Sequence, residues 1–342
     1  MTHEFIDIVH QAIELEKQHL KSVLASVVAL DGSSYRRPGV RMLIDEHGNM
    51  TGAVSGGCVE KEILRQSALV FQTGQSKMMT YDGRYRLGCE GVLYILIEPI
   101  LFSSTFVERF FECVEQRDSF EIQSFYNKSE GIFTGVGSLV KFESREVFAI
   151  HKDFEYVTNS ESLTIFSQSM TPRFKLLIIG GEHDAVQLCK YAAFTGWDVE
   201  IISGISDSRS LSNFPGAKMF KAVSLEDMDV ARIDQQTAVV LMTHNFASDL
   251  RYLVALQATN PAYIGLLGPS RRREDLLNQF VEYCSDVSEV FLDCIHGPAG
   301  LDIGAETPQE IAVSIISEIL AIVRNKNPKS LSRKSGRIHA EE

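Results

Sequence analysis

The segment Phe174-Lys-Leu-Leu-Ile-Ile-Gly-Gly-Glu-His-Asp-Ala185 sets the architecture of the second half of this chain of 342 residues. An apolar strand runs into a glycine turn and a helical pattern follows, which is how a parallel α/β sheet begins. Further strand patterns recur, mostly with helical segments between them, at Val199–Ser203, Met219–Val223, Thr237–Met242, Tyr263–Leu267 and Val290–Ile295. This alternation predicts a Rossmann-like, doubly wound parallel sheet over residues 171–325.

The glycine turn departs from a working dinucleotide-binding fingerprint. That fingerprint needs a second glycine because the pyrophosphate approaches the backbone there. Glu182 stands at this position, and the second strand pattern ends at Ser203 where an acidic residue would bind the ribose. The sequence therefore argues against NAD(P) binding, and an NAD(P)-dependent oxidoreductase is kept as the alternative function.

The first half of the chain predicts a smaller N-terminal α/β domain over residues 1–102. Its patterns indicate a first helix, a strand at Ser22–Leu30, a hairpin over residues 41–54, a helix at Val59–Thr73 and a final apolar strand at Val92–Ile97. Residues 103–170 are interpreted as a bridging subdomain. Residues 326–342 are interpreted as a flexible basic tail, which is a candidate docking arm.

The composition excludes several classes of protein. The chain is 44% hydrophobic and 23% charged, which is typical of a folded globular protein. Its net charge of −12 argues against nucleic acid as a partner. The sequence shows neither a signal peptide nor a membrane span, so we expect a cytoplasmic protein without a membrane partner. The six cysteines form no CxxC pair, which argues against a disulfide framework and a structural zinc site.

Ser55-Gly56-Gly57-Cys58 opens a predicted helix and is the first candidate binding site. Two glycines at a helix start expose backbone N–H groups at the positive end of the helix dipole, which suits a phosphate or another anion. A thiol in that first turn gains thiolate character, so Cys58 is a candidate soft metal ligand, sulfur ligand or nucleophile. The alternative is a buried cysteine beside a tight turn.

Two further features of the N-terminal half suit an anionic ligand. Arg36 and Arg37 stand in a turn between two strands, where paired guanidinium groups can bind a phosphate. Taken alone, they fit a solvated turn better. Cys89 stands in a second glycine-flanked loop, and Cys58 and Cys89 are candidates to line one pocket.

The loops after the strands of the second half supply the remaining candidates, because ligands of open α/β sheets bind beyond the carboxyl ends of the strands. His244 follows one buried strand, and a turn containing Gly268 and Arg271 follows the next. We expect these three residues to contact an anionic ligand. A satisfied histidine and arginines on a solvated helix face are the alternatives.

Six segments of the chain resemble the xanthine dehydrogenase accessory-factor family, XdhC/CoxI. They begin at Gly32, Gly52, Leu87, Thr243, Gly265 and Gly297, and they read Gly-Ser-Ser-Tyr-Arg-Arg-Pro-Gly, Gly-Ala-Val-Ser-Gly-Gly-Cys-Val-Glu, Leu-Gly-Cys-Glu-Gly, Thr-His, Gly-Leu-Leu-Gly and Gly-Pro-Ala-Gly-Leu-Asp-Ile-Gly-Ala-Glu-Thr-Pro-Gln-Glu-Ile. The first and last blocks are the specific ones. Glu90, Glu182 and Asn245 depart from the family pattern, which usually has Gly, Gly and Asp there.

The resemblance implies a protein that binds the molybdenum cofactor (molybdopterin) transiently, supports its sulfuration and inserts it into a molybdenum hydroxylase of the xanthine dehydrogenase type. A cysteine desulfurase is a further candidate partner, and we expect a homodimer. The expected class is an accessory chaperone without turnover of its own, since the chain lacks the iron–sulfur cysteine runs of the dehydrogenase.

No catalytic residue is predicted, and Cys58 is the candidate metal ligand. The candidate cofactor-binding residues are Arg36, Arg37, Ser55, Gly56, Gly57, Cys58, Cys89, His244, Gly268 and Arg271. Because cofactors of two-domain proteins favour clefts between domains, we expect Cys58 and His244 to face one shared space, within one chain or across a dimer. A structural remnant that docks onto a dehydrogenase and binds nothing small is the remaining alternative.

Overall fold

A computed structural model describes residues 1–32, 37–85, 91–154 and 163–333. Its contacts divide these residues into two compact units, an N-terminal unit over residues 1–172 and a C-terminal unit over residues 173–333. The end of the predicted basic tail, residues 334–342, lies outside the described residues.

In the described residues, the N-terminal unit is built of two antiparallel sheets and three α-helices. In chain order its elements are α1 (Thr2–Lys17), β1 (Ser22–Asp31), β2 (Arg41–Asp45), β3 (Met50–Gly52), α2 (Cys58–Thr73), β4 (Lys77–Asp82), β5 (Val92–Pro99), α3 (Ser104–Gln116), β6 (Phe120–Tyr126), β7 (Gly131–Ile132), β8 (Gly137–Phe142), β9 (Val147–Ala149) and β10 (Thr164–Met170). The larger sheet has the order β3-β2-β1-β5-β4-β7 and the smaller one β10-β6-β8-β9.

Strand β1 is buried on both faces over most of its length, which explains why residues 23–30 are apolar except for Ser26. Val23, Ala25 and Val27 pack in the same hydrophobic cluster as α2, because alternate side chains of a strand point to opposite faces. Leu24 packs on the other face against α1. The larger sheet therefore lies between two amphipathic helices.

Described residues between 104 and 154, and Met170 of β10, share a hydrophobic core with α1. Phe5 of α1 lies 5.8 Å from Phe110 of α3 and 6.0 Å from Phe120 of β6, measured between ring centroids. Phe142 and Ile150 belong to the same cluster. The contacts thus group this stretch with the first hundred residues, and the separate bridging subdomain stays a prediction.

The C-terminal unit is a parallel α/β sheet with helices. Its elements are β11 (Lys175–Ile179), α4 (His183–Phe194), β12 (Asp198–Gly204), β13 (Met219–Val223), β14 (Thr237–Leu241), α5 (Phe246–Leu256), β15 (Tyr263–Leu266), α6 (Ser270–Tyr283), α7 (Glu289–Asp293), β16 (Ile295–His296) and α8 (Pro308–Val323). The strand order is β13-β12-β11-β14-β15-β16, which reads 3-2-1-4-5-6 and is the doubly wound Rossmann order. The predicted fold class is confirmed.

One predicted strand is wrong. Residues 290–295 form most of helix α7 and only the start of β16. The Ser288 hydroxyl accepts a hydrogen bond from the Phe291 backbone N–H and caps the helix, while Phe291 packs against Phe280. A short apolar run is compatible with a buried strand and with a helical turn. The apolar residues of 290–295 therefore could not show that Ser288 caps a helix here.

Candidate functional site

Loops that carry predicted site residues leave one edge of the larger antiparallel sheet, here called the loop edge. β1 ends at Asp31 and β4 at Asp82, and both residues pair with Val92 at the start of β5. β3 ends at Gly52, opposite Met42 near the start of β2. The strand ends that flank residues 32–40, 53–57 and 83–91 therefore share the loop edge. Arg36 and Cys89 themselves lie outside the described residues.

Cys58 is exposed at the first residue of α2. Gly57 precedes it with φ +117°, a backbone conformation that favours glycine, and a Cβ atom added at Gly56 or Gly57 would meet no described residue within 4 Å. Among the described residues, the space over this glycine turn is open. The alternative of a buried cysteine beside a tight turn is therefore wrong.

Glu60 occupies part of the expected anion cradle. Its carboxylate is buried and accepts hydrogen bonds from the Ser55 hydroxyl at 2.8 Å, the Gly57 backbone N–H at 2.7 Å and the Ser55 backbone N–H. Burial raises the pKa of Glu60, but these hydrogen bonds outweigh it and hold the pKa below its usual value. An anion at this helix start would compete with an ionised carboxylate for the same donors.

Glu60 was not among the predicted site residues, although its position three residues after the helix N-cap is the signal of a capping glutamate. The donors that it takes belong to Ser55 and Gly57, two of the predicted ligand contacts. The exposed thiol of Cys58 and the open side of the glycine turn are thus the chemically available features of this helix start.

Arg37 is exposed at the loop edge, whereas Arg41 on β2 is buried, 7% exposed. Arg41 Nη1 donates to the Gly39 carbonyl at 2.9 Å and to Gln168 Oε1, and the guanidinium lies 5.7 Å from the Phe5 ring centroid. Arg41 Nε and Nη2 have no partner among the described residues. Burial lowers the pKa of Arg41 to about 10. Arg41 and Gln168 fix the backbone where the arginine turn rejoins the sheet.

A small cavity of about 190 Å³ lies where β11, β12 and β14 end. Residues of the glycine turn and of two neighbouring strand ends line it, including Gly180, Gly181, Ser203, Thr243 and Asn245. A Cβ atom at Gly180 would lie 2.3 Å from the Met242 carbonyl oxygen, so the close approach of β11 and β14 requires glycine there. This cavity is the crevice that the switch-point rule predicts.

An ionic network lies over the glycine turn of this crevice. Arg209 Nε donates to Asp207 at 2.8 Å, and Arg209 Nη2 donates to Glu182 at 3.0 Å. Arg209 Nη1 also donates to the Gly181 carbonyl, and a Cβ atom at Gly181 would lie 2.8 Å from Arg209 Cζ. The Arg209 hydrogen bond holds the pKa of Asp207 well below its usual range. The side that a pyrophosphate would approach is filled by paired charges of the chain itself.

His244 is exposed in the loop after β14, with φ 56°. Its Nε2 atom lies 3.8 Å from Asp184 Oδ2 in the first turn of α4. The exposed ring does not fit the alternative of a satisfied core histidine, and it is available to a ligand at the carboxyl end of the sheet.

Next to His244, a buried carboxylate organises the ends of β14 and β15. Asp249, 2% exposed, accepts hydrogen bonds from the Thr243 hydroxyl and from Arg272 Nη2, each at 2.6 Å. Gly268 has φ +125°, and a Cβ atom there would lie 2.7 Å from Arg272 Cδ. Arg272, which was not predicted from the sequence, therefore contacts the Gly268 turn, and the predicted Arg271 is exposed on α6.

Within each unit the structure places predicted residues in loops that leave the same edge of a sheet: Arg37 and Cys58 flank the paired strands β2 and β3, and His244 and Gly268 follow the paired strands β14 and β15. The shared space for Cys58 and His244 stays a prediction. In the described ranges, no group of three or more His, Cys, Asp or Glu side chains is placed to hold a metal ion. No helix in the same ranges is long and apolar enough to cross a bilayer.

Together these features describe an α/β protein of two units. The antiparallel unit exposes a thiol at the start of a helix that follows two glycines. In the Rossmann unit, a network of charged side chains covers the glycine turn. The chain belongs to the XdhC and CoxI family. The model of that family matches residues 15–82, and the model of the XdhC Rossmann domain matches residues 176–319. The resemblance seen in the sequence is confirmed.

Curated relatives and a solved structure agree with this assignment. The chain is 28% identical over 325 residues to a probable xanthine dehydrogenase subunit of Bacillus subtilis, covering 90% of this chain and 94% of the relative. It is 23% identical to the molybdenum cofactor insertion chaperone PaoD of Escherichia coli, covering 94% and 90%. It spans 48% of the uncharacterized Escherichia coli protein YqeB at 25% identity, covering 96% of this chain.

A crystal structure described as a xanthine dehydrogenase from Bacillus halodurans superposes with a TM-score of 0.76. The superposition covers 94% of this chain and 97% of that one at 24% identity. At 24% identity, this structural similarity is evidence for the fold alone.

Proposed function

We propose that this chain binds the molybdenum cofactor and inserts it into a molybdenum hydroxylase of the xanthine dehydrogenase type. The observation that carries the proposal is the match, over almost the whole length of both proteins, to a relative named as a molybdenum cofactor insertion chaperone. The loop edge supplies chemistry that suits this cargo. Such a cargo combines a phosphate with a metal held by sulfur, and a thiol is a soft ligand for that metal.

Cys58 is the residue that we assign to the metal end of the cargo. Its thiol is exposed, it stands at a helix N-terminus, and the two glycines before it leave open space for a bulky ligand. Because Glu60 already takes the Gly57 N–H, we assign the cargo phosphate to the arginine turn that contains Arg37 rather than to the helix start.

We also propose that this chain supports sulfuration of the cofactor. The Cys58 thiolate would attack the outer sulfur of a desulfurase persulfide, so that Cys58 becomes the persulfide and the desulfurase cysteine leaves as its thiol. Release of that sulfur at the sulfide level would need two electrons from a thiol reductant, which is oxidised to a disulfide while Cys58 returns to its thiol.

The chain purified from cells that make molybdopterin tests cofactor binding. After oxidation to its fluorescent pterin derivative, the cofactor should copurify with the chain and be absent when the host lacks the pterin pathway. Equal pterin in both preparations, or none in either, contradicts the proposal. Light scattering on the same sample checks the expected homodimer.

Deletion of the gene tests delivery. The deletion strain should accumulate a molybdenum hydroxylase without its cofactor, and that enzyme is here called the recipient. Adding the pterin-loaded chain to the purified recipient should restore activity, whereas the chain without pterin should not. Full hydroxylase activity in the deletion strain contradicts a role in insertion.

A further inference from the structure

An apolar surface on the C-terminal unit has no role in the proposed site. The side chain of Phe194, at the end of α4, is 96% exposed, and Tyr191 one turn earlier is 38% exposed. On α8, Val313 and Leu320 are 41% and 39% exposed. These four residues are here called the α4–α8 face. Single exposed apolar side chains are ordinary on a protein surface, whereas apolar side chains exposed on neighbouring elements mark an interaction site.

The two helices that carry this face are direct neighbours. α4 and α8 pack against each other, and Leu188 and Ala192 of α4 share a hydrophobic cluster with Ile315 and Ile319 of α8. Val313 and Leu320 are seven residues apart on α8, so they lie on one stripe of its surface. The face is therefore carried by a pair of packed helices rather than by isolated side chains.

The face bears no carboxylate. Glu318 is the only acidic residue of α8 after its first turn, and it points inward, where it accepts hydrogen bonds from the Tyr263 hydroxyl at 2.6 Å and the Gly300 N–H at 2.8 Å. The last ten residues of α4, from Ala185 to Phe194, contain no acid. In a chain of net charge −12, such a surface is unusual.

Basic side chains border the face. Lys190 precedes Phe194 by four residues on α4, and Arg324 follows Leu320 by four residues at the end of α8. Lys326 and Lys329 continue the series, and no acidic residue occurs between Glu318 and the end of the described chain at residue 333. In the part of the chain that the structure describes, Lys190, Arg324 and Lys326 make no ion pair.

We infer that the α4–α8 face is a docking surface for a partner protein whose contact region is acidic around an apolar centre. The inference rests on the proposed function, under which that partner is the recipient enzyme. A second copy of this chain fits less well, because two basic borders would face each other across a two-fold axis. An anionic membrane fits less well, because a chain of net charge −12 is repelled by it.

The two parts of the face should contribute differently to binding. Burial of Phe194 supplies affinity that salt does not screen, as an aromatic anchor does at the centre of an interface. The basic border steers association and is screened within about 10 Å at 0.1 M salt. A rise in ionic strength should therefore weaken the contribution of the basic side chains to binding and leave the contribution of Phe194 unchanged.

Binding of the pterin-loaded chain to the recipient at 50 and 500 mM salt tests the inference. We expect Phe194→Ser to weaken binding about tenfold or more at both salt concentrations. The double variant Arg324→Glu, Lys326→Glu should weaken it about tenfold at 50 mM salt and little at 500 mM. The matched controls are Tyr283→Ser, whose side chain is 73% exposed on α6, and Lys152→Glu in the other unit, and both should bind as the unchanged chain does.

Two readouts separate this inference from the proposed function. If Phe194→Ser carries pterin and binds the recipient as tightly as the unchanged chain, the docking surface is wrong and the function stands. A photoreactive phenylalanine at position 194 should cross-link to an acidic segment of the recipient. Cross-links within this chain or to a second copy, no binding of the recipient by the unchanged chain, or binding to phosphatidylserine vesicles would each overturn the inference.

Discussion

The polar groups in the crevice of the C-terminal unit and those near the loop edge of the N-terminal unit differ in how fully they are paired. In the crevice, Arg209 pairs with Asp207 and Glu182, and the buried Asp249 is satisfied by Thr243 and Arg272. Near the loop edge, the Cys58 thiol is exposed and two nitrogens of the buried Arg41 lack partners among the described residues. We therefore propose that the glycine turn of the crevice serves the fold, whereas the loop edge offers an exposed thiol to a ligand.

Replacement of Cys58 is the most direct test of this contrast. If its thiol contacts the metal of the cargo, Cys58→Ser should lower transfer of the cofactor to the recipient by about 10–100-fold. Mutation of residues that position a metal's ligands lowers metal affinity or activity by about the same factor. Restored hydroxylase activity at limiting chain concentration measures the effect. Cys294→Ser is the matched control, because Cys294 is half-buried in the other unit and donates to the Val290 carbonyl. Equal losses in both variants contradict a role for Cys58.

The buried Glu98 of β5 should make the N-terminal unit sensitive to pH. Burial raises the pKa of Glu98 to about 7, against hydrogen bonds from the Ser138 hydroxyl and N–H at 2.6 and 2.8 Å and the charge of Arg41. A folded-state pKa above the unfolded one means that the fold favours the protonated carboxyl. Stability should therefore fall as pH rises from the unfolded value of about 4.3 to about 7, by up to roughly 3–4 kcal/mol.

Urea unfolding followed between pH 5 and 8 measures this contribution. The difference between the unchanged chain and Glu98→Gln isolates it, since the amide does not titrate. Identical pH profiles of the two proteins would show that Glu98 titrates as it does in the unfolded chain, and burial of its carboxyl would then make no pH-dependent contribution to stability.

The closed glycine turn can be opened by substitution. We expect negligible NAD(P)H binding by the unchanged chain at about 1 mM, the upper end of the usual KM range. Glu182→Gly removes one partner of Arg209 together with the negative charge and Cβ beside the pyrophosphate path, so affinity should rise by about tenfold, or about 1.4 kcal/mol. Calorimetric titration measures it, with Glu226→Gly as a surface control. Low-micromolar binding by the unchanged chain would overturn this interpretation of the crevice.

The smallest expected effect compares two capping glutamates, one in each unit. Glu60 is buried and receives three hydrogen bonds, whereas Glu310 at the start of α8 is exposed and receives two from the Glu306 and Thr307 N–H groups at 2.9 Å. Glu60→Gln should destabilise the fold by about 1 kcal/mol, because an amide cannot accept all three bonds. Glu310→Gln should cost less.

The pH dependence of the Glu60 variant provides the control. Because the folded-state pKa of Glu60 is depressed, its contribution is present at neutral pH and is lost as pH falls through the unfolded value of about 4.3 and below. The two proteins should therefore converge in stability in acid. A constant difference down to acid pH would show that packing, rather than the charge of Glu60, accounts for the loss.

The doubly wound sheet of the C-terminal unit and the amphipathic first helix were predictable from the amino-acid order alone. So was the start of α8, where the Thr307 hydroxyl accepts a hydrogen bond from the Glu310 backbone N–H. Each follows from local periodicity or from a short capping pattern, which a single segment carries complete. Local patterns failed at residues 290–295, where a run of six residues is too short to show whether its apolar residues follow the period of a helix or of a strand.

Which of the predicted site residues are available to a ligand depended instead on contacts between distant segments. Glu60 takes the donors of Ser55 and Gly57, Arg272 rather than Arg271 meets the Gly268 turn, and Arg209 closes the dinucleotide turn across 28 residues. A donor is free or engaged according to which side chain folds back onto it, and that depends on distances between segments rather than on residue type. The sequence identifies candidate polar groups for a site, and the packing of distant segments determines which of these groups can bind a ligand.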